Sequence, residues 1–139
     1  MAFSYDDKVA LVNRAYQSWN SRDLDAALEF VHPDVEWVSA EMFPDIEPVY
    51  HGHEGVMRFW RDFLEPWESL EIDGERMIEA GEALLVLARF RARGRQGLEV
   101  DLRVGHLFTL ADDGRVIHFR AFASHDEALR AIGAAGPGT

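Results

Sequence analysis

The sequence has no cysteine, few prolines and no long apolar run, and each absence excludes a class of protein. Its 139 residues include 0 Cys and 5 Pro. Without thiols there are no disulfides, no thiolate zinc sites and no cysteine nucleophiles. No apolar stretch approaches the ~18 residues that span a bilayer, and residues 1–7 lack the basic and apolar regions of a signal peptide. A cytoplasmic location is therefore predicted.

Positive charge is also scarce. Fourteen Lys and Arg stand against 25 Asp and Glu, which gives a formal charge of −11. A nucleic-acid backbone or an anionic membrane would be repelled, so neither is a predicted partner. The length predicts a single domain over residues 1–133, followed by a flexible tail of small residues over 134–139.

Three amphipathic helices are predicted in the first half of the chain, over residues 5–20, 24–31 and 52–65. Ser4 and Asp23 are suitable caps for the first two. The dipeptide His32-Pro33 should stop the second helix, because proline disfavours helical backbone in the residue before it. Pro66 should end the third.

Alternating apolar and polar residues predict a first strand near residues 35–39 and an irregular connection over residues 40–51. Three further strand patterns cover residues 68–78, 83–93 and 98–110, and a fourth ends at residue 122. They predict a four-strand antiparallel meander in which Arg91 lies opposite Asp101 and Arg93 opposite Glu99. Ser124 and Glu127 form a capping box that opens a last short helix. This order predicts an α+β roll, in which a curved sheet wraps the helices.

His106 is the most informative residue, because it interrupts a row of apolar side chains on one face of a strand. A buried imidazole requires a hydrogen-bond partner or a chemical role. Two interpretations stay open: an acid, base or donor inside a cavity, or a core histidine bonded to a backbone carbonyl. An ordinary pKa near 6.5 would let either protonation state act at physiological pH.

Four segments carry a resemblance to a known family. Residues 15–24, 31–37, 50–56 and 113–117 read AYQSWNSRDL, VHPDVEW, YHGHEGV and DGRVI. In this order they resemble the nuclear transport factor 2-like superfamily, within it the SnoaL-like branch that includes polyketide cyclases and ketosteroid isomerases. The resemblance implies a cone-shaped roll, a curved and mostly antiparallel sheet around three N-terminal helices, with a deep apolar cavity for a small hydrophobic molecule. It implies no cofactor.

The resemblance also implies a homodimer through the outer face of the sheet. Leu85, Leu87 and Leu107 are expected to be exposed there beside arginines and to suit such an interface.

Counting along the family pattern places Ser39 where the isomerases have their general-base aspartate and His106 where they have a donor to the oxyanion. The isomerase tyrosine falls on Ala15, beside Tyr16. Glu41 lies two residues beyond Ser39 and is a candidate replacement base, or else a solvated glutamate in an acidic loop.

Aromatic side chains are the predicted walls of the cavity, or else ordinary core. With Ser39, the predicted ligand-binding residues are Tyr16, Trp19, Trp37, Trp60, Phe63, Phe90, Phe108 and Phe119. A site for a small molecule should enclose at least ~300 Å³. No metal is predicted, although His51, His53, Asp45 and Glu47 are close in sequence.

Three functions are compatible with these features. The first is proton-transfer catalysis beside a carbonyl, of the isomerase, lyase or cyclase type, with His106 polarising the oxygen and Glu41 as base. The second is non-catalytic binding of a hydrophobic metabolite. The third is a protein-binding adaptor, which predicts a filled cavity and a large apolar patch on the outer sheet face.

Overall fold

The computed structural model describes residues 4–39 and 48–133, which form four helices and six strands. In chain order they are α1 (Tyr5–Asn20), α2 (Leu24–Leu28), β1 (Val31–Val38), β2 (Val49–His51), α3 (Gly52–Leu64), β3 (Trp67–Ala80), β4 (Ala83–Gly94), β5 (Glu99–Leu110), β6 (Val116–Phe122) and α4 (His125–Ala131). The tail over residues 134–139 lies outside the described residues.

The helix starts follow the capping residues. Ser4 Oγ accepts a hydrogen bond from the Asp7 N–H, and the Asp7 side chain accepts one from the Ser4 N–H. This capping box fixes the start of α1, and both ends of the predicted helix are confirmed. The second helix is shorter than predicted. Val31 opens β1 instead of ending α2, because its backbone pairs with Val116 of β6 and its side chain is buried.

The six strands form one curved sheet in the order β2-β1-β6-β5-β4-β3. Only β1 and β6 pair in parallel, so the predicted antiparallel meander of β3 to β6 is confirmed. The irregular connection was predicted too long, since Val49–His51 pairs with β1 as strand β2. Residues 40–47 of that connection lie outside the described residues.

The two faces of the sheet have different coverings. Helices α1 and α3 pack on the inner face around a core rich in aromatic residues. On the outer face, Arg91 lies opposite Asp101 and Arg93 opposite Glu99, as predicted.

The expected exposure of the outer leucines is wrong. Leu85 is 0% and Leu87 5% exposed, and Leu107 is half-buried, because α4 covers this part of the outer face. The covering removes the large apolar patch that a protein-binding adaptor would need. No helix in residues 4–39 or 48–133 has both the length and the apolar character needed to cross a membrane.

Candidate ligand-binding cavity

A cavity of about 80 Å³ lies between α1, α3 and the inner face of the sheet. Its lining is almost entirely apolar. The residues that surround it are Trp19, Trp37, Ser39, Phe59, Trp60, Phe63, Leu64, Ile72, Phe90, Leu102, Val104, His106, Phe119, Ala121 and Phe122. Helices and strands therefore supply nearly all of the wall, and such rigid elements hold side chains in fixed positions.

The cavity is smaller than the expected ~300 Å³. Aromatic rings fill the difference: Trp37 stacks on Phe119 at 3.9 Å between centroids, and these two residues are neighbours on the parallel strands β1 and β6. As it stands, the space suits a molecule of a few heavy atoms up to about one ring. A larger ligand requires these rings to move.

Seven of the nine predicted ligand-binding residues line the cavity: Trp19, Trp37, Ser39, Trp60, Phe63, Phe90 and Phe119. Tyr16 and Phe108 do not. Both are buried behind the wall, where their rings pack edge to face at 6.0 Å. Sequence reasoning missed Phe59, although its spacing in α3 already placed it on the same helix face as Trp60 and Phe63.

His106 is the polar centre of the cavity. Its Nδ1 lies 2.8 Å from the hydroxyl of Tyr16, and both side chains are buried, with 9% and 4% exposure. The partner is a side-chain hydroxyl and not the backbone carbonyl that the alternative interpretation required. Because the two residues are 90 positions apart in the chain, only the packing of α1 on β5 brings them together.

The hydrogen bond determines which imidazole nitrogen carries the proton. Nδ1 is the only hydrogen-bond partner of the Tyr16 hydroxyl among the described residues. If Nδ1–H donated to Tyr16, the phenolic proton would have no acceptor, which costs about 1–3 kcal/mol for a fully buried donor. Nε2 is not one of the fully buried unpaired side-chain atoms of the described residues, so a proton there costs less. We therefore assign Tyr16 O–H as the donor to Nδ1, which leaves the ring proton on Nε2. In residues 4–39 and 48–133, Nε2 has no hydrogen-bond partner.

Burial sets the charge state of the pair. Removal from water lowers the pKa of His106 to about 4 and raises that of Tyr16 well above its ordinary value. The expectation that either protonation state of His106 acts at physiological pH is therefore wrong, because the charged form is desolvated and no described residue places a carboxylate beside it. His106 is a neutral donor through Nε2–H.

Small residues leave space around this pair. On the neighbouring strand β6, Ala121 is the residue opposite His106, and it also lines the cavity. At a bulge in β3, a Cβ on Gly74 would lie 3.5 Å from the Tyr16 ring and only 3.0 Å from Val86. Glycine at this position lets the edge strand approach the pair closely.

Three tryptophans form a second polar feature of the wall. Trp19, Trp37 and Trp60 lie 5.6 to 6.0 Å apart between ring centroids, at steep interplanar angles. All three are at least nine-tenths buried and line the cavity. Each indole Nε1 is buried, and none has a hydrogen-bond acceptor in the described part of the chain. We refer to these residues as the indole trio.

The structure describes Ser39 but not the predicted base, Glu41. Ser39 lines the wall directly after β1, and its Oγ is 3.5 Å from the Pro48 carbonyl oxygen. Glu41 lies outside the described residues. Among the described lining residues there is no carboxylate, so the catalytic role of Glu41 stays a prediction.

Three further histidines, His53, His118 and His125, have structural partners outside the cavity. His53 Nε2 is 2.6 Å from the Val31 carbonyl oxygen, and His125 Nε2 is 3.1 Å from that of Ala88. His118 faces Glu36 at 3.2 Å. The described ranges contain no group of three His, Asp or Glu side chains that would hold a metal ion, and Asp45 and Glu47 lie outside those ranges.

Comparison with known proteins identifies the family. Residues 12–119 match the sequence profile of the SnoaL-like domain. Because this match covers most of the chain, the protein belongs to the SnoaL-like domain family, and the resemblance noted from its sequence is confirmed. No protein of curated function matches the chain.

Solved structures share the fold. An NTF2-like protein of unknown function from Burkholderia pseudomallei K96243 is 26% identical, with 91% of this chain and 97% of that chain covered and a TM-score of 0.74. TerC, crystallised with polyporic acid, is 21% identical over 91% of this chain and 98% of its own, with a TM-score of 0.76.

A third similar structure is Rv0760c from Mycobacterium tuberculosis in complex with estradiol-17beta-hemisuccinate. It is 12% identical over 86% of this chain and 95% of that chain, with a TM-score of 0.75. At these identities TerC and Rv0760c show the fold alone. The fold prediction of an α+β nuclear transport factor 2-like roll is confirmed.

Proposed function

We propose that this protein binds a small hydrophobic molecule that carries a carbonyl or similar acceptor, and that His106 Nε2–H donates a hydrogen bond to that acceptor. The observation that supports the proposal is a buried imidazole whose Nδ1 is bonded to Tyr16, in an otherwise apolar aromatic cavity. Apolar walls with a few placed polar groups are typical of small-molecule sites. The ligands named for TerC and Rv0760c are of the same general kind, ring compounds with oxygen substituents.

The pair Tyr16–His106 is suited to hold such an acceptor. The Tyr16 hydroxyl occupies Nδ1, which leaves Nε2 as the ring nitrogen that is available to a ligand. With Tyr16 O–H as the donor to Nδ1, Nε2 carries the proton and donates. Nε2–H finds no acceptor among the described residues, and a ligand oxygen would supply one. The site should therefore discriminate in favour of a carbonyl more than its apolar walls alone would.

The proposal is tested with two probes of similar shape, para-xylene and para-tolualdehyde, which differ by one carbonyl. Dissociation constants come from NMR titrations of the wild-type protein and of His106→Phe. In the variant, the preference for the aldehyde over the hydrocarbon should fall about five-fold, the value of one net hydrogen bond. Comparing preferences cancels the different hydration of the two probes.

His118→Phe is the matched control, because His118 lies on β6 and is paired with Glu36 outside the cavity. It should keep the wild-type preference. An unchanged preference in His106→Phe would remove His106 from the site, and failure of both probes to bind the wild-type protein would contradict a small-molecule cavity.

Catalysis beside a carbonyl is the second candidate function, and the oriented donor of His106 is the observation that favours it. In this reaction a base removes a proton from the carbon next to the carbonyl, and the electron pair of that C–H bond moves to the carbonyl oxygen. His106 Nε2–H stabilises the resulting oxyanion. Glu41 is the proposed base.

The test of catalysis is exchange of the methyl protons of acetophenone in D2O, followed by NMR. An enzyme should raise the exchange rate above that of buffer, and Glu41→Gln should abolish the increase while leaving acetophenone binding intact. Exchange at the buffer rate would leave binding as the only proposed function.

We also propose that two copies associate through the outer sheet face, now without the leucine contact, since α4 covers Leu85 and Leu87. The remaining exposed surface of β3 to β5 is charged, so association should weaken with added salt. Sedimentation equilibrium at low and high salt tests this, and a monomer at both contradicts it.

A further inference from the structure

The indole trio is a cluster of hydrogen-bond donors for which residues 4–39 and 48–133 supply no acceptor. A buried indole N–H normally finds a partner, yet all three Nε1 atoms lack one. A single unsatisfied group is a common local imperfection. Here three unsatisfied N–H groups belong to residues that contact one another and line the same cavity. This arrangement indicates that they share an external partner.

The trio lies close to His106 without being part of the same polar group. Phe119 packs against both sides, with its centroid 5.2 Å from the His106 ring and 3.9 Å from the Trp37 ring. Phe119 therefore contacts both the His106 ring and the trio. The three Nε1 atoms have almost no accessible surface, so a ligand that reaches them must displace the rings of the wall.

We propose that the indole trio forms a second acceptor-binding subsite, so that the cavity selects molecules with at least two hydrogen-bond acceptors on opposite sides of a flat ring. This inference rests on the proposed function and adds to it, since His106 alone requires only one acceptor. The lining contains donors at His106 and the trio and no carboxylate among its described residues. A ligand that carries a second donor in place of the second acceptor should bind more weakly, because its own donor would be unsatisfied there.

The experiment adds a third probe, terephthalaldehyde, which carries carbonyls at both ends of the ring. The 4 tryptophans give four indole N–H signals in a nitrogen-15 correlation spectrum. Trp67, which does not line the cavity, is the internal reference. We expect terephthalaldehyde to move at least one signal of the trio downfield relative to the para-tolualdehyde complex, and to leave the Trp67 signal in place.

Affinity provides the second readout. Terephthalaldehyde should bind about five-fold more tightly than para-tolualdehyde, the gain of one further net hydrogen bond. One of the variants Trp19→Phe, Trp37→Phe or Trp60→Phe should lose that gain while it keeps the His106-dependent preference for a carbonyl. Trp67→Phe should keep both.

The outcomes separate the two proposals. If the His106-dependent preference is present but terephthalaldehyde neither binds more tightly nor shifts a trio signal, neighbouring ring faces or water satisfy the indoles and the second subsite is wrong. If no probe binds, the proposed function fails and the subsite with it. The spectrum of the wild-type protein decides the matter even if a tryptophan variant does not fold.

Discussion

The two faces of strands β4 and β5 share one backbone but differ in how their polar side chains are paired. On the outer face, Arg89 forms a two-pronged pair with Asp101, with N···O distances of 2.9 and 2.6 Å. Arg91 lies between Glu71 and Asp73 at 2.7 and 2.6 Å. On the inner face, His106 is neutral and leaves Nε2–H unpaired among the described residues.

This difference shows where a ligand is needed. The outer charges are numerous, but within one copy they pair with one another and contact water, so they require no small-molecule ligand. The inner polar groups are few and incompletely paired among the described residues, and an entering acceptor would complete them. Hydrogen-bond satisfaction, more than the number of polar residues, distinguishes the candidate site from the rest of the sheet.

The largest change in stability is expected for a substitution under α4, the helix that covers part of the outer face. A Cβ on Gly105 would lie 2.4 Å from the Cβ of Ala128, which is 0% exposed. Gly105→Ala should push α4 off Leu85 and Leu87 and lower the free energy of unfolding by about 2–3 kcal/mol, as overpacking does. Urea unfolding measures this loss.

Gly55→Ala is the matched control for that substitution. Gly55 is in α3, and its Cβ would meet nothing closer than 3.5 Å. The variant should be as stable as the wild type or more stable by about 0.5–1 kcal/mol, because alanine favours the helix. Equal stability of the two glycine variants would mean that α4 adapts without cost.

The second largest effect is a pH dependence of stability, which arises from His106 on the inner face. Because the folded pKa of His106 is about 4 and the unfolded value is 6.5, the unfolded chain binds more protons between those pH values. The stability from this residue is complete above pH 6.5 and is lost as the pH falls towards 4. Between pH 7.5 and 5 the loss should be about 2 kcal/mol.

His106→Gln isolates this contribution, since glutamine does not titrate. Urea unfolding at several pH values gives the free energy of unfolding of each protein as a function of pH. The titration of carboxylates affects wild type and variant alike, so the difference between the two slopes reports His106. Identical slopes would show that His106 is not kept neutral by burial, and Nδ1 would then not be the acceptor of the Tyr16 hydroxyl at acidic pH.

Much of the fold follows from local patterns in the sequence. The capping box at Ser4 and the alternation in β4 and β5 predicted element types and register, because each depends on neighbouring residues or on a short turn. Val31 was assigned to a helix by its spacing, but pairing with β6 decides its conformation, and no local pattern records that partner. The cover of α4 over Leu85 is missed for the same reason.

The site is predictable only in part. His106 was found because one polar residue interrupts an apolar row, a signal that lies within a single strand. Its partner Tyr16 is 90 residues away, and counting along the family pattern placed the tyrosine role on Ala15 instead. Cavity volume depends on how rings such as Trp37 and Phe119 fill space, which composition does not record. The unpaired indoles could be found only from coordinates.

The smallest change in stability is expected on the outer face, when the ion pair between Arg89 and Asp101 is removed. The hydrogen bond from Arg89 lowers the pKa of the Asp101 carboxyl below its ordinary value. Both side chains are exposed, so water and salt screen the pair and little of this shift should appear as global stability. Arg89→Gln should return the pKa of Asp101 towards 3.8, followed by carbon-13 NMR of its carboxyl group, and leave the urea midpoint almost unchanged. A large drop in that midpoint would show that the outer charges support the fold, and the distinction between a self-sufficient outer face and an incomplete inner one would no longer hold.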